Sequence, residues 1–484
     1  MVPIKRPASG QRLLLALAFL LNNVWSMSQK PEEVYARSLG NVTEQIGKKY
    51  AVSFRFEDES LKDKTVQYAQ WRFAGDLATT LDNVLKPLDL IYTKPEGNVY
   101  LIKSYSFYRR TEAAGAAHLA ALLKAYPDAA AFEKRKVELK QCIATALGIR
   151  NFSNRTPLNP IVRAQRKFDG YTIENVAFES IPGYYVTGTV YKPAKGKGPF
   201  PVILNPHGHF FNEQDPPSAR DSSRYRADMQ IRCATLARMG AIVLSYDMYA
   251  WGESAQMTGG MQYHETGFAA AIQTWNSIRA LDYMLSLPGA DASRVGVTGA
   301  SGGGTQTFLL AALDERVTVS VPVVMVSSGF YGGCPCESGL PIHADCNGNA
   351  TNNTEIAALI APKPLLVISD GDDWTTSVPG TDYPYLQKIY GFYNKTASVE
   401  SVYLPQDKHD YGLSKRLPAY RFLADGLRLN LKAVQDKTGN IQEEKITILP
   451  NDELRVFGKD HPLPATALRS HQAIMDMFKK VQEQ

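Results

Sequence analysis

The stretch "GVTGASGGGTQTFLLAALDERV", Gly296–Val317, places one serine among glycines between two apolar runs. The run "RVGVTG" before the serine is typical of a strand, and "GGTQTFLLAAL" after it is typical of a helix. Ser301 therefore falls on a sharp strand-to-helix turn, where Gly299 and Gly303 take the positions at which larger side chains would collide. Because such a turn lifts a hydroxyl towards a helix start, where negative charge is favoured, the pattern predicts a nucleophilic serine.

The chain from Thr156 onwards continues this alternation of strands and helices. Strand-like runs such as "FPVILNP", "GAIVLSYD" and "KPLLVIS" are separated mostly by segments of helical length. Apolar strands that alternate with helices indicate a mainly parallel sheet that is covered on both faces. We therefore predict an α/β catalytic domain over residues 156–484, which includes a C-terminal extension.

A serine becomes a good nucleophile only beside a base that an acid orients, and the sequence downstream of Ser301 offers both groups. His409 follows the last predicted strand in "SVYLPQDKHDYG", and Asp373 lies in the loop of "KPLLVISDGDDWTTSVP". The order serine, acid, histidine is the one that this kind of fold uses. Asp372 and Glu337 are the alternative acids.

Stabilisation of an oxyanion requires N–H donors near the serine. The strand of "ILNPHGHF" ends in a glycine turn, so the main-chain N–H of His209 and that of Gly302 are the predicted donors. His207 and His209 are also conceivable metal ligands, but the turn supplies no third ligand. We predict that the site works without a metal or another cofactor.

Aromatic and basic residues near these loops are candidates for substrate contacts. Trp251 and Trp374 adjoin the predicted pocket and suit stacking on a sugar ring. The basic candidates for binding uronate carboxylates are Arg224, Arg226, Lys415 and Arg416.

Five cysteines are informative if the protein is exported to an oxidising compartment. Cys142 and Cys233 lie in helical patterns and are expected as buried small apolar residues. The other three cluster around a histidine in "GGCPCESGLPIHADCNG": Cys334, Cys336, His343 and Cys346. Because C-x-C lacks the second pair of the strong zinc patterns, we expect a loop disulfide that joins Cys346 to Cys334 or Cys336.

The N-terminus has the pattern of a secretory signal peptide over residues 1–28. Lys5 and Arg6 precede the apolar run Leu13–Leu21, which is too short to span a bilayer as an anchor. We expect a periplasmic or secreted protein without a membrane span. The net charge of +5, from 53 basic and 48 acidic residues, is spread along the chain without a basic block. Nucleic acid is therefore not an expected partner.

Between the signal peptide and the catalytic domain, the sequence predicts a small α+β domain over residues 31–104. Its order is helix, strand, helix and hairpin, with "VSFRFEDESLKDKTV" and "GNVYLIK" as the strand-bearing parts. This order resembles the small N-terminal domain of secretins and TonB-dependent proteins, which implies a docking module of the bacterial periplasm. Residues 105–155 are expected to form a helical connector.

The motifs "HGH", "DMYAWGES", "GASGGGTQT", "GGCPCE", "DGDDWT" and "KHDYG" together resemble the α/β-hydrolase carbohydrate esterases of the acetyl-xylan-esterase-like group. With the N-terminal domain, the arrangement is similar to the pectin methylesterases of Bacteroides, carbohydrate esterase family nineteen. The resemblance spans about Thr156–Leu431. It implies an α/β-hydrolase fold and a carbohydrate ester as the substrate.

Three hypotheses about function follow from these patterns. The first is a secreted serine esterase that cleaves galacturonate methyl esters in pectin through an acyl-enzyme on Ser301. The second is an acetyl xylan esterase with the same catalytic residues. The third is a periplasmic binding or signalling protein with an inactive hydrolase domain, which would be expected to lack a catalytic residue. Because the serine, acid and histidine candidates are all present, the two esterases are favoured.

Overall fold

The computed structural model describes the following parts of the chain: residues 36–56, 59–88, 90–104, 111–163, 165–210, 224–344, 346, 348 and 350–484. The predicted signal peptide, residues 1–28, lies outside the described residues. The chain divides into two compact units, Met1–Tyr105 and Ser106–Gln484.

The smaller unit is an α+β domain built on two small sheets. Its strands are β1 (Arg37–Ser38), β2 (Ser53–Phe56), β3 (Thr65–Val66), β4 (Leu90–Glu96) and β5 (Val99–Ser104). Its helices are α1 (Leu39–Tyr50) and α2 (Leu77–Leu85). β5 lies at the centre of the larger sheet, parallel to β2 and antiparallel to β4, while β1 pairs with β3.

Side-chain caps explain where the two helices of the smaller unit begin. The Ser38 hydroxyl accepts the N–H of Asn41 at the start of α1, and the Asp76 carboxylate accepts that of Thr79 at the start of α2. Each cap satisfies a backbone donor that the helix itself leaves unpaired. Between the helices and the larger sheet lies an apolar core that includes Leu39, Val42, Ile46, Leu81, Val84 and Ile102.

The larger unit contains a ten-stranded sheet. Its strands are β6 (Ile161–Val162), β7 (Arg166–Lys167), β8 (Tyr171–Ile181), β9 (Tyr184–Pro193), β10 (Phe200–Pro206), β11 (Ile242–Tyr246), β12 (Ala290–Ala300), β13 (Val319–Val323), β14 (Leu365–Asp370) and β15 (Val399–Leu404). The order across the sheet is β15-β14-β13-β12-β10-β11-β9-β8-β6, and β7 also pairs with β8. β10 to β15 are mutually parallel, whereas β9 is antiparallel to β11 and β8 is antiparallel to β9. The predicted, mainly parallel sheet is confirmed.

Helices connect and cover these strands. They are α3 (Glu112–Ala125), α4 (Ala129–Ala146), α5 (Ala227–Arg238), α6 (Ala255–Thr258), α7 (Gly267–Ser286), α8 (Gly302–Leu313), α9 (Gly339–His343), α10 (Asn353–Ala358), α11 (Tyr383–Gly391), α12 (Leu413–Leu427), α13 (Asn451–Leu454) and α14 (His471–Glu483). Helices α5 and α12 share one apolar cluster with β10, β11, β13 and β14. Helices α7 and α8 contact β12, which they precede and follow in the chain. In the described part of the chain, no helix combines the length and apolar character that crossing a bilayer requires.

The segment predicted as a connector belongs to the larger unit. The guanidinium of Arg135 on α4 forms a buried ion pair with Glu355 on α10, with Nε 2.8 Å from Oε1. Cys142, also on α4, forms a disulfide with Cys346. The expectation that Cys142 is simply a buried small apolar residue is therefore wrong. Cys233 is a buried free cysteine, as expected. A helix far away in sequence supplies the partner of Cys346, which spacing within one loop could not indicate.

Candidate active site

Ser301 lies on the turn between β12 and α8, as predicted. Its backbone has φ 57° and ψ −126°, a conformation that non-glycine residues seldom adopt. Two backbone hydrogen bonds hold this conformation: the Ser301 N–H donates to the Val323 carbonyl at 3.1 Å, and the Ser301 carbonyl accepts the Thr305 N–H at 3.0 Å. Strain of this kind, fixed by the sheet and helix, presents the hydroxyl at the carboxyl end of the sheet.

The glycines around Ser301 are required by close backbone contacts. A Cβ added at Gly303 would lie 2.4 Å from the Pro206 carbonyl oxygen, and one at Gly299 would lie 2.5 Å from the same atom. A Cβ at Gly208 would lie 2.9 Å from the Cβ of Ser301. The turn that carries Ser301 therefore packs directly against the loop that follows β10.

His409 and Asp373 meet at the same edge of the sheet. The Nδ1 atom of His409 lies 2.6 Å from Oδ2 of Asp373. The other oxygen of Asp373 accepts the backbone N–H of Thr375 at 2.6 Å and its hydroxyl at 2.5 Å, which fixes the carboxylate. Such a carboxylate orients the imidazole and leaves Nε2 available as a base. The two residues follow β14 and β15, which neighbour each other in the sheet.

The two alternative acids do not contact His409. Asp372 is exposed, and its backbone N–H donates to Asp370 at 3.2 Å. Glu337 is buried and faces a different imidazole, with Oε1 3.5 Å from Nδ1 of His209. Of the three predicted acids, only Asp373 has the contact that the role requires.

Aromatic rings flank the His409 imidazole. Trp374 lies with its ring centroid 4.8 Å from that of His409 and stacks on Phe330 at 3.8 Å. Phe210, in the loop after β10, lies 5.7 Å from His409 between ring centroids. Trp374, which the sequence predicts to stack on a sugar ring, therefore lies next to His409.

The side chain of His209 lies next to Gly302, the other residue predicted to supply an oxyanion donor. Gly302 is the first residue of α8, and a Cβ added to it would lie 3.0 Å from Cε1 of His209. The main-chain N–H groups at a helix start have no partner within the helix and are suited to binding an anion. Their role as donors to an oxyanion remains a prediction.

His207 fixes the loop that carries His209. Its Nε2 accepts the backbone N–H of Met248 at 3.1 Å, and its Nδ1 lies 3.0 Å from the Gly208 carbonyl oxygen. Burial lowers the pKa of His207 to about 4, so the ring is neutral and its two nitrogens are both engaged. His207 therefore connects the loops that follow β10 and β11 through its hydrogen bonds.

A second polar group lies beside Gly302 and was not predicted as a unit. This cysteine–histidine cluster consists of His209, His264, Cys334 and Cys336. The sequence suggested His343 as the histidine near the cysteines, but that ring contacts Tyr331. His264 could not have been found by spacing, because a turn more than fifty residues after His209 brings it here.

The structure corrects the expected cysteine pairing and one aromatic candidate. Cys334 and Cys336 form a disulfide with each other, so neither joins Cys346. Trp251 is only 8% exposed and packs edge-on against His209 and His264, at 5.5 and 5.0 Å between ring centroids. It supports the cluster instead of offering a face to a sugar.

Three of the four basic candidates are neutralised inside the protein. Arg224 is paired with Asp247 and Glu253, Lys415 with Asp370 and Asp410, and Arg416 with Glu443. Buried guanidinium and ammonium groups need such carboxylates, so these side chains stabilise the fold. Arg416 as a substrate-binding residue is therefore wrong. Arg226 is also paired, with Asp228 at 2.9 Å, but its side chain is less buried than the other three. Its guanidinium lies 5.8 Å above the ring of Phe210, which itself contacts His409.

The fold and the site geometry define an α/β-hydrolase. Residues 149–331 match the acetyl xylan esterase (AXE1) family. The chain is 40% identical to the solved structure of methylesterase BT1017, with a TM-score of 0.71, over 93% of this chain and 98% of that one. It is also 27% identical to YtaP of Bacillus subtilis (strain 168), described as a hydrolase, over 42% of this chain and 69% of that protein. A glucuronoyl esterase from Solibacter usitatus is 19% identical over 61% of this chain and 93% of its own, with a TM-score of 0.47.

The chain therefore belongs to the family of α/β-hydrolase carbohydrate esterases that includes methylesterase BT1017. It is a carboxylic ester hydrolase, and its substrate is a carbohydrate ester.

Proposed function

We propose that this protein is a serine esterase that hydrolyses the methyl ester of galacturonate in pectin. The contact that supports the serine mechanism is the 2.6 Å hydrogen bond between His409 and Asp373, at the edge of the sheet where Ser301 is presented. The similarity to a methylesterase over nearly the whole chain supports the ester type.

In this mechanism, His409 takes the proton of the Ser301 hydroxyl as the oxygen attacks the ester carbonyl. Asp373 holds the tautomer with the proton on Nδ1 and stabilises the imidazolium that forms. The main-chain N–H groups of Gly302 and His209 are the proposed donors to the oxyanion. His409 then protonates the departing methoxide, and a water molecule, activated by the same imidazole, hydrolyses the acyl-enzyme.

A methyl ester of a uronate places the sugar on the acyl side of Ser301. The leaving group is then methanol, which needs little room beside His409 and its aromatic neighbours. Trp374, beside the imidazole, offers an apolar surface, and Arg226, above the ring of Phe210, offers a positive charge to the sugar side of the ester. The charge of Arg226 suits the free carboxylate of an adjacent uronate, although Asp228 shares that guanidinium at 2.9 Å.

The second candidate is an acetyl xylan esterase, which the family match over residues 149–331 favours. The same residues would act, but acetate would become the acyl group and the sugar the leaving group. The two functions are therefore distinguished by the small product, methanol or acetate.

The decisive experiment measures both products from purified protein on methyl-esterified galacturonides and on acetylated xylan. We expect methanol release with a KM that rises from low to moderate salt, because charge pairs at the site are screened over about 8–10 Å. Acetate release from xylan at a much higher kcat/KM, without methanol from pectin, would establish the second candidate. Release of neither product from folded protein would favour the non-catalytic hypothesis.

Export to the periplasm or the medium is part of the proposal, and so is a docking role for the smaller unit. The signal-peptide pattern of residues 1–28 and the disulfide between Cys142 and Cys346 support an oxidising compartment. N-terminal sequencing of the exported protein tests the cleavage, which we expect near residue 28.

A further inference from the structure

The four side chains of the cysteine–histidine cluster converge on one point. Nε2 of His209 lies 2.6 Å from Nε2 of His264, 3.2 Å from Sγ of Cys336 and 3.7 Å from Sγ of Cys334. All four ligand atoms lie within 4.8 Å of one another. Around a tetrahedral zinc ion with two nitrogen and two sulfur ligands, these atoms would be about 3.3–3.8 Å apart. Once the Cys334–Cys336 bond is broken and the two sulfur atoms have separated, side-chain adjustments would bring all four to a single ion.

The outer contacts of both imidazoles direct their Nε2 lone pairs towards that point. Nδ1 of His264 lies 2.7 Å from the carbonyl oxygen of Tyr249, which can only accept a hydrogen bond, so Nδ1 carries the proton. Nδ1 of His209 faces the carboxylate of Glu337 at 3.5 Å, a longer contact that favours the same tautomer. Histidines that ligate metals have this arrangement, with the second nitrogen donating to a carbonyl or a carboxylate.

The two Nε2 atoms lie 2.6 Å apart, and a proton on one of them satisfies the pair of imidazoles while the sulfur atoms are joined in a disulfide. Reduction of that disulfide leaves two thiols close to Nε2 of His209, and a metal ion could then take all four side chains as ligands. The site is also shielded, since His264 and Cys336 are 1% and 0% exposed and Trp251 contacts both rings.

We propose that His209, His264, Cys334 and Cys336 bind one zinc ion when the two cysteines are reduced. A tetrahedral set of two imidazoles and two thiolates is the ligand set that selects zinc over magnesium or calcium. A dithiol reductant supplies two electrons and two protons to break the Cys334–Cys336 bond and becomes a disulfide itself. Zinc binding then releases the two thiol protons to solvent.

Bound zinc would join three loops next to the start of α8. One loop carries His209, the second carries His264, and the third carries the two cysteines and Glu337. The main-chain N–H of His209 is also a proposed oxyanion donor. The ion is a structural brace here, and no step of the ester hydrolysis passes through it. The inference therefore does not rest on the identity of the ester that is cleaved.

The test is a zinc titration of the full-length protein in its reduced and oxidised forms, after removal of metal by a chelator. A chromophoric chelator competes for zinc and reports the Kd and the stoichiometry. We expect one zinc per chain in the reduced protein, and a Kd that is larger by on the order of 100-fold or more in the oxidised protein, which lacks both thiolates. Reduced protein that binds no zinc would overturn the proposal.

Variants locate the ion. The double variant C334S/C336S should lose zinc binding in both redox states, whereas C142S/C346S, which removes the other disulfide, should keep one zinc per chain. Glu337→Gln should weaken binding about 10–100-fold, because it removes the carboxylate that orients His209. Retention of zinc by C334S/C336S, or its loss only in C142S/C346S, would place the ion elsewhere.

A measurement on the wild-type chain keeps the test independent of variant folding. Cobalt added to the reduced protein should give the visible bands of a tetrahedral ion and a thiolate-to-cobalt charge-transfer band. X-ray absorption of the zinc-loaded protein should show two sulfur and two nitrogen neighbours. Oxygen or nitrogen neighbours alone would contradict the assignment. An inactive protein that binds zinc as described would leave this inference standing while removing the esterase proposal.

Discussion

Two polar groups lie beside the start of α8, and they are built in different ways. The proposed catalytic group, Ser301, Asp373 and His409, follows three parallel strands of one sheet. The cysteine–histidine cluster joins His209, in the loop that follows β10, to His264 and two cysteines in segments that do not directly follow a strand. The first group is positioned by the topology of the sheet, whereas the second depends on how separate loops pack. The catalytic group should therefore respond to single chemical changes, and the cluster to changes in redox state and metal.

Loss of the nucleophile should have the largest effect. Ser301→Ala removes the attacking oxygen, and we expect kcat to fall by roughly 10⁴–10⁶ while the fold is kept. Ester hydrolysis and circular dichroism of the same preparation check the two statements. Zinc binding by the reduced variant should be unchanged, which separates the two groups experimentally. Activity that survives in a folded variant would remove Ser301 from the mechanism.

Loss of the Asp373 carboxylate should lower kcat to a similar extent, because this carboxylate orients His409. Asp373→Asn keeps the shape but favours the wrong tautomer of the imidazole, and we expect a loss of about 10⁴ in kcat. Asp372→Asn is the matched control, because that neighbouring carboxylate is exposed and does not contact the histidine. Steady-state kinetics of both variants decide the assignment, and a large loss in Asp372→Asn alone would reverse it.

The turn that presents Ser301 should tolerate no side chain. In Gly303→Ala the new Cβ would meet the Pro206 carbonyl oxygen at 2.4 Å, so the turn and the loop after β10 must separate. We expect a free energy of unfolding lower by about 1–3 kcal/mol, together with a marked loss of kcat. Gly458→Ala is the control, because no atom lies within 4 Å of its added Cβ. Equal denaturant midpoints for the two variants would contradict the packing described above.

Low pH should weaken the contact between helix α14 and the segment that carries His264. His471, which begins α14, stacks on Tyr263 at 4.4 Å between ring centroids, and its Nδ1 lies 2.8 Å from the Tyr249 hydroxyl oxygen. Burial lowers the pKa of His471 to about 4, below its value in the unfolded chain. The unfolded state thus binds more protons between these two values, and stability falls as the pH drops from about 6.5 to 4.

This contribution of His471 should be about 1–2 kcal/mol, since the ring is partly exposed. His471→Phe keeps an aromatic ring but cannot titrate, so its thermal midpoint should depend less on pH than that of the wild type. His461→Gln, at an exposed histidine, is the control variant. Identical pH profiles for His471→Phe and the wild type would disprove the linkage.

Local sequence patterns were sufficient for the parallel sheet and for the turn at Ser301. Strand and helix periodicities around "GASGGG" are properties of neighbouring residues, and the carboxyl ends of parallel strands lie at one edge. The choice among Asp373, Asp372 and Glu337 needed coordinates, because adjacent residues of a loop point in different directions. Only the structure shows which carboxylate meets His409.

Contacts between residues far apart in the chain could not be predicted from the sequence, for a related reason. Cys142 and Cys346 are 204 residues apart, and nothing in the spacing of either indicates the other. The sequence around Arg416 is the same whether its side chain is exposed or, as found, paired with Glu443 in the interior. Such partners are chosen by tertiary packing, which a single sequence does not display.

The serine mechanism is tested most directly by covalent labelling with a fluorophosphonate, which reacts with activated serines and gives a stable adduct. Peptide mapping by mass spectrometry should find one adduct per chain, on the peptide that contains Ser301, with none on Ser301→Ala. The labelling rate should fall strongly in Asp373→Asn and remain unchanged in Asp372→Asn. Complete modification of Ser301 with full esterase activity retained, or an adduct only on another serine, would contradict the account.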